Sequence, residues 1–196
     1  MGTQQPLDRR IQRTRQLLAD ALFLLITERG YEGITIADIT EQANLGRTTF
    51  YLHYRDKEEL LQASVKALMH ELQIEVEPDT EERCPYLFRS IRVFQHVAQK
   101  QHLYRALLRE AGSVNIGDLM RKYFAALYQR FVIEPLHLER SFSLSGDLIA
   151  AHAAGSLFGL ISWWLNHEIS PSAEKMGAIY SQLMAMGGID IQKHPA

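Results

Sequence analysis

The stretch GRTTFYLHYRDKEEL, Gly46 to Leu60, sets two threonines, a phenylalanine, two tyrosines and a histidine directly before a run of charges. A wholly buried helix does not need the hydroxyls, and a wholly solvated one does not need the aromatics. The pattern fits a helix with one face packed and the other presented to something polar. Phe50 and Tyr54 are four residues apart and share a face. With Ile36, Ile39, Ala43 and Leu45 they can close a small core against Leu22 and Leu25. Arg47, Thr48 and Tyr51 fall on another face. Those side chains suit base edges: arginine can bond guanine with two hydrogen bonds, and a threonine methyl or tyrosine ring can touch a thymine methyl. Thr49, His53 and Lys57 stand at the flanks, where phosphates would lie.

Working outward, residues 8–29 carry Ile11, Leu18, Leu22 and Leu25 at helical spacing, widened by Ala21 and Ile26 and ended by Gly30. Thr35 is placed to cap a short helix reaching about Gln42, with Asp38 three residues on as its capping-box partner. Its N-terminal amides offer another phosphate site. Residues 43–46 form a tight turn, and a second short helix spans about 47–53. Two short helices so joined make a helix-turn-helix candidate. Asp56 caps the next helix, whose first turn holds Glu58 and Glu59 and which extends to about Val76. Glu77-Pro78-Asp79 breaks the pattern and marks the expected domain boundary. Beyond it the segments 84–100, 102–111, 116–133, 146–168 and 172–187 all read as helices, punctuated by Gly112, Pro135, Gly146 and Pro171. With no alternating strand pattern, the fold class is all-α with about nine helices.

Composition narrows the function. Hydrophobic residues make up 46% of the 196 and charged residues 22%, ordinary for a soluble globular protein. The one cysteine, Cys84, fits a reducing cytosol, and the N-terminus lacks the apolar run of a signal peptide. These point to a cytoplasmic location. Net charge is −2, but Arg9, Arg10, Arg13 and Arg15 face only Asp8 in the first sixteen residues. That basic cluster is equally compatible with a nucleic-acid contact and with a solvated arm. Glu134 to His137 is a single Glu-x-x-His without the second motif that a bundle metal site needs, and no Gly-rich phosphate loop, G-x-S-x-G or H-E-x-x-H occurs, so neither an enzyme, a cofactor nor a metal site is expected.

The segment Leu148–Leu165 carries no charge. At about 1.5 Å per residue it would only just cross a bilayer of roughly 30 Å. It lacks flanking lysine or arginine, and Ala151, Gly155 and Gly159 put a small residue at every fourth position, a spacing that lets another helix approach closely. A buried helix–helix interface is the expectation, and no membrane partner.

Residues 10–61 resemble the DNA-binding region of the TetR/AcrR family of bacterial transcriptional repressors. The resemblance is carried by ERGYEGITIADITEQANLGRTTFYLHYRDKEELL, Glu28 to Leu61. The family's Gly-Tyr or Gly-Phe is met by Gly30-Tyr31, and its helix-opening threonine by Thr35. Its Thr-Phe-Tyr-x-His-Phe is met by Thr49 to Tyr54, and its Lys-Glu-x-Leu by Lys57 to Leu60. Departures are Asn44-Leu45-Gly46 for the family's usual Gly-Val-Ser, Thr48 where glycine is common, and Leu52 where a polar residue is common. They bear on which operator is read. Leu52 is expected to pack partly on the scaffold or against sugar.

The resemblance implies a helix-turn-helix DNA-binding domain over residues 1–56, a connecting helix over 57–76, and a ligand-binding and dimerisation domain over 78–196. The last two long helices of each subunit would build a four-helix bundle in a homodimer, with Met176, Ile179, Tyr180, Leu183 and Met184 at helical spacing on the second. A repressor released from its operator by a small hydrophobic effector would follow. The effector pocket would draw on Tyr86, Phe88, Phe94, Tyr104, Tyr123, Phe124, Tyr128, His152 and Trp163, each of which could equally be plain core. His96 and His152 are its polar candidates, since a buried histidine needs a partner. The alternative is a helical binding protein whose helix-turn-helix corner does not bind DNA.

Overall fold

A computed structural model of the chain describes residues 4–77, 85–109, 116–137 and 144–186. The described residues form helices and the turns that join them, with no strand. Among the described residues nine helices succeed one another: α1 (Gln4–Arg29), α2 (Ile36–Gln42), α3 (Arg47–Tyr51), α4 (Lys57–Glu75), α5 (Pro85–Gln99), α6 (Gln101–Arg109), α7 (Ile116–Tyr128), α8 (Gly146–Asn166) and α9 (Ala173–Met186). α7 runs without a break into a π-helical turn (Gln129–Ile133) and a last α turn (Glu134–Leu136).

The chain divides into two compact units. The first comprises residues up to Leu68 together with His102–Ile116, and the second comprises Met69–Gln101 and the residues from Gly117 on. In the first, Leu18, Leu22, Leu25, Ile39, Phe50 and Leu60 are fully buried. α1 starts four residues before the sequence pattern because Pro6 is tolerated in a first turn, where its missing N–H has no intrahelical partner to lose. Gly30 ends α1 at φ 77°, a conformation that glycine adopts without strain. The Thr35 capping box forms as expected: Asp38 N donates to Thr35 Oγ1, and Thr35 N donates to Asp38 Oδ2 at 2.8 Å. Asn44, at φ 52°, turns the chain between α2 and α3.

In the second unit the pairing of α5 with α9 is the most extensive. At its centre a Cβ on Gly177 would lie 2.7 Å from the Ile91 backbone, so only glycine permits this approach. Phe94 and Trp164 meet edge to face with ring centres 5.3 Å apart, both fully buried. α8 is long and apolar enough to cross a membrane, yet Ile149, Ala153, Ile161, Trp164 and Leu165 are buried along one side of it. Its other side, with Ala151, Gly155 and Gly159, is exposed, and a Cβ on either glycine would meet nothing within 4 Å.

The π turn was not foreseen, and Pro135 accounts for it. In a regular helix the amide of residue 135 would bond the Phe131 carbonyl, but proline has no N–H and its ring crowds that oxygen. The helix widens, Glu134 N donating to Gln129 O, and the guanidinium of Arg89 donates to the Phe131 carbonyl instead.

Candidate nucleic-acid interface and ligand cavity

Phe50 seats α3. It is fully buried, with Tyr54 buried beside it at a ring separation of 5.9 Å. The other side of the short helix faces solvent. Arg47 and Thr48 are exposed, Thr49 is half-buried, and Tyr51 is 58% exposed with its ring edge-on to Phe50 at 5.6 Å. Arg47, Thr48 and Tyr51, which the sequence set on a face away from Phe50, are thus all exposed. Ile36 and Leu45 are only half-buried, so the core beneath α3 rests more on Ile39, Phe50 and α1 than the pattern indicated. Leu52 is 77% exposed and does not pack on the scaffold, because α3 ends at Tyr51 and turns its side chain outward. Gly46 opens α3 with no side-chain cap.

The flanks are more heavily engaged. His53 is half-buried, and burial together with the charge of Arg15 holds its imidazole below the ordinary pKa. The charge of this N-terminal arginine is thereby felt just beyond the end of α3, a proximity sequence spacing could not supply. Lys57 Nζ donates to the carbonyls of Tyr31 at 2.9 Å and Ile34 at 3.0 Å, and lies over the Tyr31 ring. At the N-terminus of α2 the exposed Thr35 holds the carboxylate of Asp38. Hydrogen bonds from Thr35 keep that carboxyl below its ordinary pKa, and Arg29 adds to the effect. A phosphate approaching there meets an anion as well as amides.

The expected pocket residues part company. A cavity of about 70 Å³ lies in the second unit, among α5, α7 with its π turn, α8 and α9. Of the candidates, Phe124 and Tyr128 line it. Phe94 is fully buried but packs on Trp164. His96 is buried with its Nδ1 3.0 Å from Glu75 Oε2, so its expected partner is a carboxylate on α4. Tyr104 is buried within the first unit, and Tyr123 is half-buried outside the lining. His152 is exposed on the outer face of α8, and Trp163 is 47% exposed and stacked on His167 at 4.1 Å, because the apolar stripe that α8 buries lies on its opposite side. The side chains of Tyr86 and Phe88, and Cys84 entirely, lie outside the described residues.

Sequence reasoning missed Arg89, Ser90 and Ser181 as cavity residues, and gave Tyr180 and Met184 to a dimer seam. The structure turns Met176, Tyr180 and Met184 inward, the last two onto the cavity, and leaves Leu183 and Met186 outside. The signal available was the serine and tyrosine hydroxyls on otherwise apolar helix faces. Ser181 Oγ donates to Ser90 Oγ at 3.2 Å and Tyr180 OH to Ala153 O at 3.1 Å. Burial, with Tyr128 nearby, pushes the Tyr180 phenol well above its ordinary pKa, so it acts as a neutral donor. Among the described residues no cluster of histidine, cysteine or carboxylate could hold a metal.

An all-helical chain that seats a short second helix on one phenylalanine and opens its polar face to solvent has the architecture of a helix-turn-helix regulator. Comparison with known proteins narrows this. Residues 18–64 match the bacterial regulatory proteins of the tetR family, and residues 89–185 match a transcriptional regulator C-terminal region. The chain belongs to the TetR family. It is 26% identical over 196 residues to the uncharacterized HTH-type transcriptional regulator YxbF of Bacillus subtilis (strain 168), covering 97% of this chain and 48% of that protein. The chain thus spans about half the length of this curated relative. Among solved structures, a TetR-family regulator from Syntrophomonas wolfei superposes with a TM-score of 0.72 at 19% identity, over 86% of this chain and 91% of the other. RolR in complex with its ligand resorcinol gives 0.61 at 20% identity, over 95% and 96%. These likenesses carry the fold.

Proposed function

We propose that the protein is a dimeric, sequence-specific repressor that occupies a palindromic operator and leaves it when a small hydrophobic molecule binds the second unit. The carrying observation is the solvent-facing set Arg47, Thr48 and Tyr51 over the buried Phe50. Arg47, Thr48 and Tyr51 read base edges in the major groove, and Thr49, His53, Lys57 and Thr35 address phosphates. Residues 1–56 form the DNA-binding domain, 57–76 the connecting helix and 78–196 the ligand and dimer domain. The exposed stripe of α8, with Ala151, Gly155, Gly159 and Trp163, and the exposed Leu183 and Met186 of α9 support a homodimer through these two helices. Two-fold symmetry then matches half-sites about one or more DNA turns apart.

The cavity beside the π turn supports an effector site, and RolR, of similar fold, holds resorcinol. The effector acts by binding one conformer of the dimer better than the other, which alters the spacing of the two recognition helices. Such a regulator works in the cytoplasm. The test is selection from a random duplex DNA pool by the purified protein, beside a Tyr51→Ala control. Enrichment of a palindrome by the parent alone is the expected result. No enrichment at low salt, with both proteins equally folded, would leave a helical binding protein whose helix-turn-helix is scaffold only.

A further inference from the structure

α3 ends at Tyr51, but its helical twist runs one residue further. Leu52 has φ −71° and ψ −20°, and its N–H donates to the Thr48 carbonyl at 3.1 Å. Residues so joined stand one turn apart on the same side of a helix. Thr48 and Leu52 therefore form one row, and Arg47 and Tyr51, also four apart, form the row beside it. All four are exposed, Leu52 to 77%. A lone exposed leucine is ordinary on a protein surface. This one stands among the side chains proposed to meet base edges. Arg47 makes no ion pair among the described residues, so whatever covers this face must accept a cation and a phenol as well as an isobutyl group. The homodimer proposed above uses α8 and α9, which leaves α3 to a different partner.

We infer that Leu52 is a specificity residue that reads the 5-methyl group of a thymine in the operator, with the Thr48 methyl extending the same apolar row. This rests on the DNA-binding reading and names a base that the protein selects. Thymine is the base that presents a methyl group in the major groove. A leucine side chain has no hydrogen-bonding atom, so it cannot tell bases apart by donors and acceptors. It favours the partner with which both sides remove apolar surface from water. Adenine and cytosine present amino groups and guanine presents acceptors, which an isobutyl group would strip of water without replacing the hydrogen bond. Along the helix axis Thr48 and Leu52 are about 6 Å apart at 1.5 Å per residue. Base pairs rise by about 3.4 Å, so the row is long enough for two neighbouring pairs. The thymine is therefore expected within about two base pairs of the position that depends on Arg47, for which guanine is the bidentate partner.

The test starts from operators selected out of the random duplex pool by the intact parent and by Leu52→Ala, with thermal unfolding to show that both are folded. A thymine position enriched by the parent is expected to lose its preference in Leu52→Ala while the other positions keep theirs. Fluorescence anisotropy then compares the operator with the same duplex carrying deoxyuridine at that position, which lacks only the methyl group. The parent is expected to bind the deoxyuridine duplex roughly 4-fold more weakly. Leu52→Ala is expected to bind the two duplexes alike, and Leu52→Met, still apolar, to keep part of the difference. A merely structural role for Leu52 would not move this ratio. If the parent selects an operator but binds both duplexes equally, or if Leu52→Ala weakens both by one factor and keeps the ratio, Leu52 does not read a thymine. The inference then falls and the DNA-binding reading stands. If the parent selects no sequence at low salt, both fall.

Discussion

Lys57 engages Tyr31 twice: its Nζ donates to the Tyr31 carbonyl oxygen at 2.9 Å and stands over the Tyr31 ring, 4.4 Å from its centre. With the second bond to Ile34 O, one ammonium ties the start of α4 to the α1–α2 connection. The cation proposed as a phosphate contact is therefore also a structural tie. Lys57→Met is expected to lower unfolding stability by about 1–2 kcal/mol, since it leaves two carbonyls without their charged donor. Denaturant unfolding of the two proteins checks this. Equal midpoints would mean that the ammonium contributes nothing to the fold.

The capping box makes a separate prediction about acid. Hydrogen bonds from Thr35, and then Arg29, hold the Asp38 carboxyl below its ordinary value near 3.8. A depressed folded-state pKa stabilises above the unfolded value, and that contribution is lost as pH falls through the folded one. Acid unfolding of the parent should therefore include a component below about pH 4 that Asp38→Asn lacks. Thr35→Ala, which removes the cap at neutral pH, is expected to cost about 1 kcal/mol. A mutant series with superimposable acid titrations would refute the linkage.

With His53 beside a phosphate, as proposed, DNA binding is expected to depend on pH. In the free protein burial and then Arg15 keep its imidazole below the ordinary 6.5. A phosphate beside the ring raises the bound-state pKa, so binding takes up a proton. The gain is fully present below the free-state pKa and is lost as pH rises through the bound-state one. Operator affinity should rise as pH falls from about 7 to about 5.5, and His53→Gln should flatten that rise. Fluorescence anisotropy with a labelled operator measures it. A parent curve as flat as the mutant's would remove His53 from the phosphate contacts.

The first unit was largely legible in the sequence because its signals are local. Capping at Thr35, the turn at Asn44 and the Phe50–Tyr54 face are each decided within four residues of chain. The second unit was legible as helices but not as a site. α8 is apolar almost all round, so composition could not say which side faces the core, and His152 and Trp163 were assigned to the inner one. The cavity joins Arg89, Phe131 and Ser181, far apart in the chain, and no short spacing announces that meeting. Pro135 was visible as punctuation. That it would yield a π turn, with an arginine of α5 serving the released carbonyl, required knowing which helix packs beside it.

The close approach of α5 and α9 gives the most direct test of the second unit. Alanine is ordinarily better than glycine inside a helix by about 1 kcal/mol, so Gly177→Ala at an open site would stabilise. Here the added methyl would sit 2.7 Å from the nitrogen and Cα of Ile91, backbone atoms that cannot move aside by changing rotamer. The two helices must separate, and overpacking of this kind costs about 1–3 kcal/mol. The overpacking term exceeds the propensity term, so the variant is expected to be less stable than the parent. Gly155→Ala on the exposed face of α8 meets no atom within 4 Å in the single chain and should gain the propensity term in a monomer. Thermal unfolding of both variants decides the matter, because a stabilised Gly177→Ala would mean that α5 and α9 do not pack this closely.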